Sequence, residues 1–238
     1  MRDVLSAEWL KIRTTRSSQY VLLAVVVIAV VGILLAYAWA QTWNGMSPQS
    51  RARLTDSSIE DTTAPLLHFC LGVLGVLIIT GEYATGMIRT SLTVAPRRLT
   101  VLLSKAVVIG ALAWVSGLLV TFSTYLVSRD ILASRGFPAY AASFGEELPG
   151  LVGAGSLPTV IALVGLGLGA VLRSTAGALF AIAALVFIVP ALIGFLPDPW
   201  DDRIGSLMLP HVTDPLVATG YVVVALGAAA VAMVRRDV

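Results

Sequence analysis

The sequence predicts an all-α integral membrane protein with six transmembrane helices, and three observations carry that prediction. Of its 238 residues, 57% are hydrophobic and only 13% charged, a balance too apolar for a soluble domain. Asp, Glu, Lys and Arg are absent from residues 17–50, 62–81, 106–128, 148–172, 174–197 and 215–234. Each run can hold a span, because crossing ~30 Å of hydrocarbon takes roughly 20 apolar residues. The runs also lack strand-like alternation, which leaves helices as the way to satisfy the backbone in lipid. We therefore read one membrane domain over residues 1–238, with spans at about 20–40, 64–80, 102–128, 151–172, 175–196 and 215–234.

Residues 1–19 place Arg2, Lys11, Arg13 and Arg16 around Leu5, Trp9 and Ile12, which share a helical face. This reads as an interfacial helix held on the cytoplasmic side by its basic residues. The apolar run Tyr20–Ala40 ends in Ala38-Trp39-Ala40, which looks like a cleavage site, but its 21 residues exceed a signal-peptide core. It reads as an uncleaved first span. The loop from Gln41 to Asp61 mixes both charges around Gly45 and Pro48 and reads as external.

The second span is expected to be the shortest, and Gly72 and Gly75 suit close approach of a neighbouring helix. It also holds His68 and the single cysteine, Cys70. A neutral imidazole there fits a hydrogen bond to another helix, although an ionisable residue in a span is also a candidate site. One cysteine allows no intrachain disulfide and no cysteine metal cluster.

Gly81–Lys105 is a charged island between two apolar runs. Read as a helix, it sets Tyr83, Met87, Thr90 and Val94 on one face, with Glu82, Arg89 and Thr93 on a polar stripe beside it. Pro96 ends that helix, and Arg97, Arg98 and Lys105 mark re-entry into lipid, with Lys105 snorkelling to the interface. On physical grounds the simpler reading is a membrane-surface helix joining two spans; the functional one is a helix gripped by a soluble partner.

After the third span, Glu146 and Glu147 invite a catalytic reading, but Leu148-Pro149-Gly150 follows, which suits a solvated helix start. In the fourth span, Gly165 and Gly169 form a small-xxx-small packing ridge. Arg173-Ser174-Thr175 makes a tight turn into the fifth span, where Pro190 predicts a kink near Phe187. The acidic loop 197–214 reads as external, and Arg235-Arg236 closes the sixth span. With both termini cytoplasmic, the inner segments hold 11 of the 16 Lys and Arg residues and only 4 of the 14 acidic ones, as the orientation rule for basic residues requires.

The chain contains no phosphate loop of the G-x-x-x-x-G-K-[ST] type, no H-E-x-x-H, no G-x-S-x-G elbow and no Cys/His metal spacing, so no catalytic or metal-ligating residue is assigned. An intramembrane enzyme would have only His68 to work with. Spans without charges also disfavour an ion-coupled transporter.

The run Glu82-Tyr83-Ala84-Thr85-Gly86-Met87-Ile88-Arg89-Thr90-Ser91-Leu92, followed by Pro96-Arg97-Arg98 and Lys105, resembles the cytoplasmic segment of permease subunits of type-2 ATP-binding-cassette exporters. Glu8-Trp9-Leu10-Lys11, the Arg173-Ser174 turn, the proline of span five and Arg235-Arg236-Asp237-Val238 look like that family too, so the resemblance covers six spans and both ends. Family members often have Thr where Met87 stands. The resemblance implies a multi-pass protein of the inner (plasma) membrane, a homodimer or heterodimer of permeases paired with a separately encoded ABC ATPase subunit. That partner would bind ATP and Mg, and this chain would need no cofactor and no nucleic acid. It further implies ATPase coupling through Glu82, Tyr83, Gly86, Met87, Arg89, Arg97 and Arg98, with Arg173 as a second contact. A non-transporting anchor or sensor that recruits a soluble partner is the alternative. Uncharged spans suit an apolar or amphipathic cargo.

Overall fold

The computed structural model describes residues 2–47, 49–51, 58–87, 98–133, 137–197, 200–212 and 214–235. Among them there is no strand. Helix α1 (Arg2–Thr14) is followed by α2 (Arg16–Thr42), α3 (Ile59–Thr85), α4 (Arg98–Ala133), α5 (Phe144–Leu172), α6 (Thr175–Ile193), the short α7 (Trp200–Gly205) and α8 (Pro215–Arg235). Six of these helices are long and apolar enough to cross a membrane, as the charge-free runs predict.

The spans outrun the apolar blocks that announce them. The second, expected to be the shortest, has 27 residues in α3, and α4 has 36. At 1.5 Å per residue these measure ~40 Å and ~54 Å, more than the hydrocarbon core needs. The extra turns come from good local signals. Ser58 caps α3 by accepting the Asp61 N–H at 3.0 Å, with Glu60 and Asp61 in the first turn, where acidic side chains suit the helix dipole. At the other end α3 continues through Gly81–Thr85 and stops only at Gly86, whose φ of 71° is left-handed. Residues 81–85 are thus the last turn of a span and not the start of a separate surface helix.

Helix α5 is the hub, packed on α3, α4 and α8. Its glycines permit backbone contact. A Cβ on Gly165 would stand 2.3 Å from the Gly72 carbonyl oxygen, and one on Gly75 would stand 2.0 Å from that of Ala162. Gly169 lies against Ile79 and Gly155 against Leu118. The Glu146 carboxylate accepts the Ser143 N–H at 3.0 Å, so this acidic residue closes the start of α5. Arg173, left-handed at φ 51°, ends it, and Ser174 caps α6 by accepting the Gly177 N–H. Within α6 a π-helical turn spans Ala184–Ile188, just before Pro190, which has no N–H to give the ladder. Helices α2, α6 and α8 are the least covered, with Phe180 and Leu216 exposed, as suits lipid.

At the end of the bundle away from α1, Trp43, Ile59, Tyr125, Phe137 and Tyr140 form an aromatic core. The Tyr140 hydroxyl donates to Glu60 Oε2 at 2.9 Å and accepts the Ile59 N–H at 3.0 Å. Burial and the Glu60 carboxylate both push its pKa up, so it stays a donor. Tyr140→Phe is expected to cost about 1–3 kcal/mol, because a buried N–H and a half-buried carboxylate lose this partner together. Thermal unfolding in detergent checks this.

Candidate functional site

Four charges gather where α1, the end of α3 and the start of α4 meet. Glu8 and Lys11 are three residues apart on α1 and so share its inner face, beside the buried Ile12. Glu82 stands in the last turn of α3, and Lys105 lies two turns into α4. Lys105 Nζ donates to Glu8 Oε2 and to Glu82 Oε1, both at 2.6 Å. Lys11 Nζ donates to Glu8 Oε1 at 2.9 Å and to Glu82 Oε1 at 2.7 Å. The set is neutral, and each ammonium bridges both carboxylates.

Burial makes the set consequential. The Lys105 side chain is 0% exposed, against 4% for Glu8, 7% for Glu82 and 31% for Lys11. Lys105 therefore does not snorkel to the interface, as its place at the head of an apolar run suggests, but turns inward, because two carboxylates replace its water. Glu82 likewise sits in this knot and not on an open rim. At Lys11, burial pulls the pKa down, but the hydrogen bonds to Glu82 and Glu8 outweigh it and leave the ammonium above its ordinary 10.5. A raised folded-state pKa contributes stability that is complete below the ordinary value and is lost as pH rises through the raised one. Stability is accordingly expected to hold through neutral pH and to fall only above about 10.5, with Lys11→Met flattening that alkaline loss; a pH series of melts checks it.

A second knot lies beside the first. The Arg173 guanidinium stands 5.2 Å from the centre of the Tyr83 ring and donates to the Ala232 carbonyl at 3.4 Å. It joins the last turn of α3, the α5–α6 turn and the last turns of α8, so α1 and the C-terminal end of α8 share one end of the bundle. Between α1, the start of α2 and the end of α3 opens a cleft of about 300 Å³ bordered by Lys11, Ser18, Ile78, Gly81, Glu82 and Met87.

The other predicted site residues fall around this end. Gly86 makes the left-handed turn and Met87 stands exposed beyond it, so Tyr83 and Met87 do not continue one helical face. Arg89 and Arg97 lie outside the described residues, as does most of the expected amphipathic helix. Arg98 opens α4. Gly165 and Gly169 are in the α3–α5 contact, Gly165 against Gly72 in mid-span and Gly169 against Ile79 and Thr80, one turn before Arg173. His68 is buried and borders a cavity of about 90 Å³ at the opposite end with Glu60, Thr121 and Thr124. Sequence reasoning missed Glu8 and Lys11 as partners of the island. Their spacing on the buried side of α1, with Lys105 placed inside apolar sequence, was the available signal.

Residues 4–196 match a family model described as ABC-2 family transporter protein. No curated protein matches the chain.

Proposed function

The chain belongs to the ABC-2 family of transporter proteins and is a permease subunit of an ABC transporter, and we propose that it serves export, driven by a separate ABC ATPase that docks on the end of the bundle holding the four-charge knot. In this reading that end faces the cytoplasm, the ATPase supplies ATP and Mg, and two permeases form the path between them.

The observation that carries the reading is the knot itself. It binds the ends of two spans and an N-terminal helix into one body directly beside the connection from Gly86 to Arg98, so a push on that connection moves α3, α4 and α1 together. Met87, Arg89, Arg97 and Arg98 would meet the ATPase, and Arg173 would make a smaller contact. Glu82 and Tyr83 act as positioning residues, through Lys105 and Arg173 respectively.

Capture of the ATPase by the tagged chain in mild detergent tests this. Wild type is expected to retain it, and the double variant Met87→Asp, Arg89→Ala to retain about tenfold less or below, because an exposed apolar anchor and a rim charge are both lost. The variant should keep a wild-type elution profile, since Met87 stands exposed past the end of α3. Equal capture by both forms, or none by wild type, defeats the proposal.

A further inference from the structure

The four charges of the knot divide into two neutral pairs, and the division follows the helices. Glu8 and Lys11 both belong to α1, and they bond to each other at 2.9 Å. Glu82 and Lys105 both belong to the spanning bundle, on α3 and α4, and they bond to each other at 2.6 Å. Two further bonds cross the joint, from Lys105 to Glu8 at 2.6 Å and from Lys11 to Glu82 at 2.7 Å. Separating a buried ion pair is costly because it strands a charge without its partner. Here α1 can leave, and each side still keeps one carboxylate and one ammonium in contact.

The rest of the attachment is slight. Among the described residues of α1, Glu8 and Ile12 are buried, while Trp9 and Leu10 stand exposed. Apart from the knot, Ile12 is thus the one fully buried apolar side chain that holds these residues to the bundle. The link to α2 is a single extended residue, Thr15 at φ −81° and ψ 121°, with the exposed Gln19 donating to the Arg13 carbonyl across it. A change in one such residue between two helices is enough to swing a helix as a unit.

We propose that α1 is a releasable latch, docked on the ends of α3 and α4 in this structure and able to swing off them, with the knot splitting into its two neutral pairs. Docked, Glu8 and Lys11 cover the Glu82–Lys105 pair, and a pair held out of water ties α3 firmly to α4. Released, α1 opens that pair to solvent, where ion pairs contribute little, and the joint beside the connection from Gly86 to Arg98 loosens. The latch thereby sets how stiffly that connection moves the two spans, a consequence that rests on the ATPase docking proposed above, whereas the two positions of α1 do not.

Two double variants of identical composition and net charge separate the bonds within each side from those across the joint. The α1-pair variant, Glu8→Ala with Lys11→Met, removes both crossing bonds and leaves Glu82 with Lys105. The cross-pair variant, Glu8→Ala with Lys105→Met, leaves Lys11 on α1 as the lysine that balances Glu82, so release strands a buried carboxylate. Spin labels at Leu10→Cys and Leu103→Cys, both exposed positions, in a Cys70→Ser background give the α1-to-α4 distance by pulsed electron paramagnetic resonance. The full chain is measured in nanodiscs without the ATPase.

Wild type is expected to show the docked distance, with a longer one in about a tenth of the molecules. The α1-pair variant should raise the ratio of released to docked molecules about tenfold, to roughly equal populations, and the cross-pair variant should lower it about tenfold. No more release in the α1-pair variant than in wild type, or no less in the cross-pair variant, overturns the proposal. Should one variant not fold, wild type and the other decide it by the same comparison. Capture of the ATPase by the tagged chain is a separate measurement, so failure of the latch and failure of the docking reading are distinguished.

Discussion

Lys105→Met lowers the stability of the protein by about 3–5 kcal/mol, the range for removing one partner of a buried ion pair and leaving the other charged. The substitution keeps the length and apolar stem of the side chain, so lost packing contributes little. What remains is two carboxylates, Glu8 and Glu82, each nearly enclosed, with only the partly exposed Lys11 to balance them. The knot then carries a net negative charge on two carboxylates that are each less than a tenth exposed. Denaturant unfolding in detergent measures the loss directly.

A second variant identifies the cause. Replacing all four charged residues with apolar ones of similar size, Glu8→Leu, Lys11→Met, Glu82→Met and Lys105→Met, should recover most of the stability, because buried ion pairs and well-packed apolar groups contribute similarly when each is complete. If the fourfold variant is as unstable as Lys105→Met, charge imbalance is not the reason.

Gly75→Leu separates α3 from α5 and is expected to abolish the folded bundle. The added Cβ alone would lie 2.0 Å from the Ala162 carbonyl oxygen, which belongs to backbone and cannot rotate away. Even Gly75→Ala should cost about 1–3 kcal/mol, the usual cost of overpacking, because the helices must move apart along a contact shared with Gly165 and Gly72. Gly227→Ala on α8 is the matched control: its Cβ meets nothing, and a change within about 0.5 kcal/mol is expected. Size-exclusion profiles and melting curves of the three variants separate a specific helix contact from a general intolerance of side chains in glycine-rich spans.

Most of the fold was legible because charge is costly in hydrocarbon. Six uninterrupted runs without Asp, Glu, Lys or Arg mark six helices whatever their packing. The ends were less legible, since Glu60 and Asp61 break the apolar pattern yet favour the first turn of α3, and Glu82 breaks it yet finds buried partners. Gly86 shows the limit of periodicity: Tyr83 and Met87 have helical spacing, but one left-handed residue between them ends the helix. The knot was hidden for a different reason. Lys105 reaches Glu82 across 23 positions and Glu8 across 97, and no local pattern reports pairings at such separations. Lys105 beside lipid has two ways to remain charged, reaching water or finding carboxylates, and only the positions of α1 and α3 choose between them.

Placing the ATPase at the knot end of the bundle is the central claim, and site-directed cross-linking tests it most directly. Cys70 is the single cysteine, so a Cys70→Ser background accepts one new thiol at a time. A benzophenone attached at Met87→Cys, on the exposed residue past Gly86, is compared with one at Ser206→Cys, near the opposite end beside the Leu209–His211 turn. Both proteins are irradiated with the ATPase present. The predicted result is an adduct with the ATPase from position 87 and none from position 206. Adducts from position 206 alone, or from neither position while the ATPase still co-purifies, would place the partner elsewhere and contradict the account.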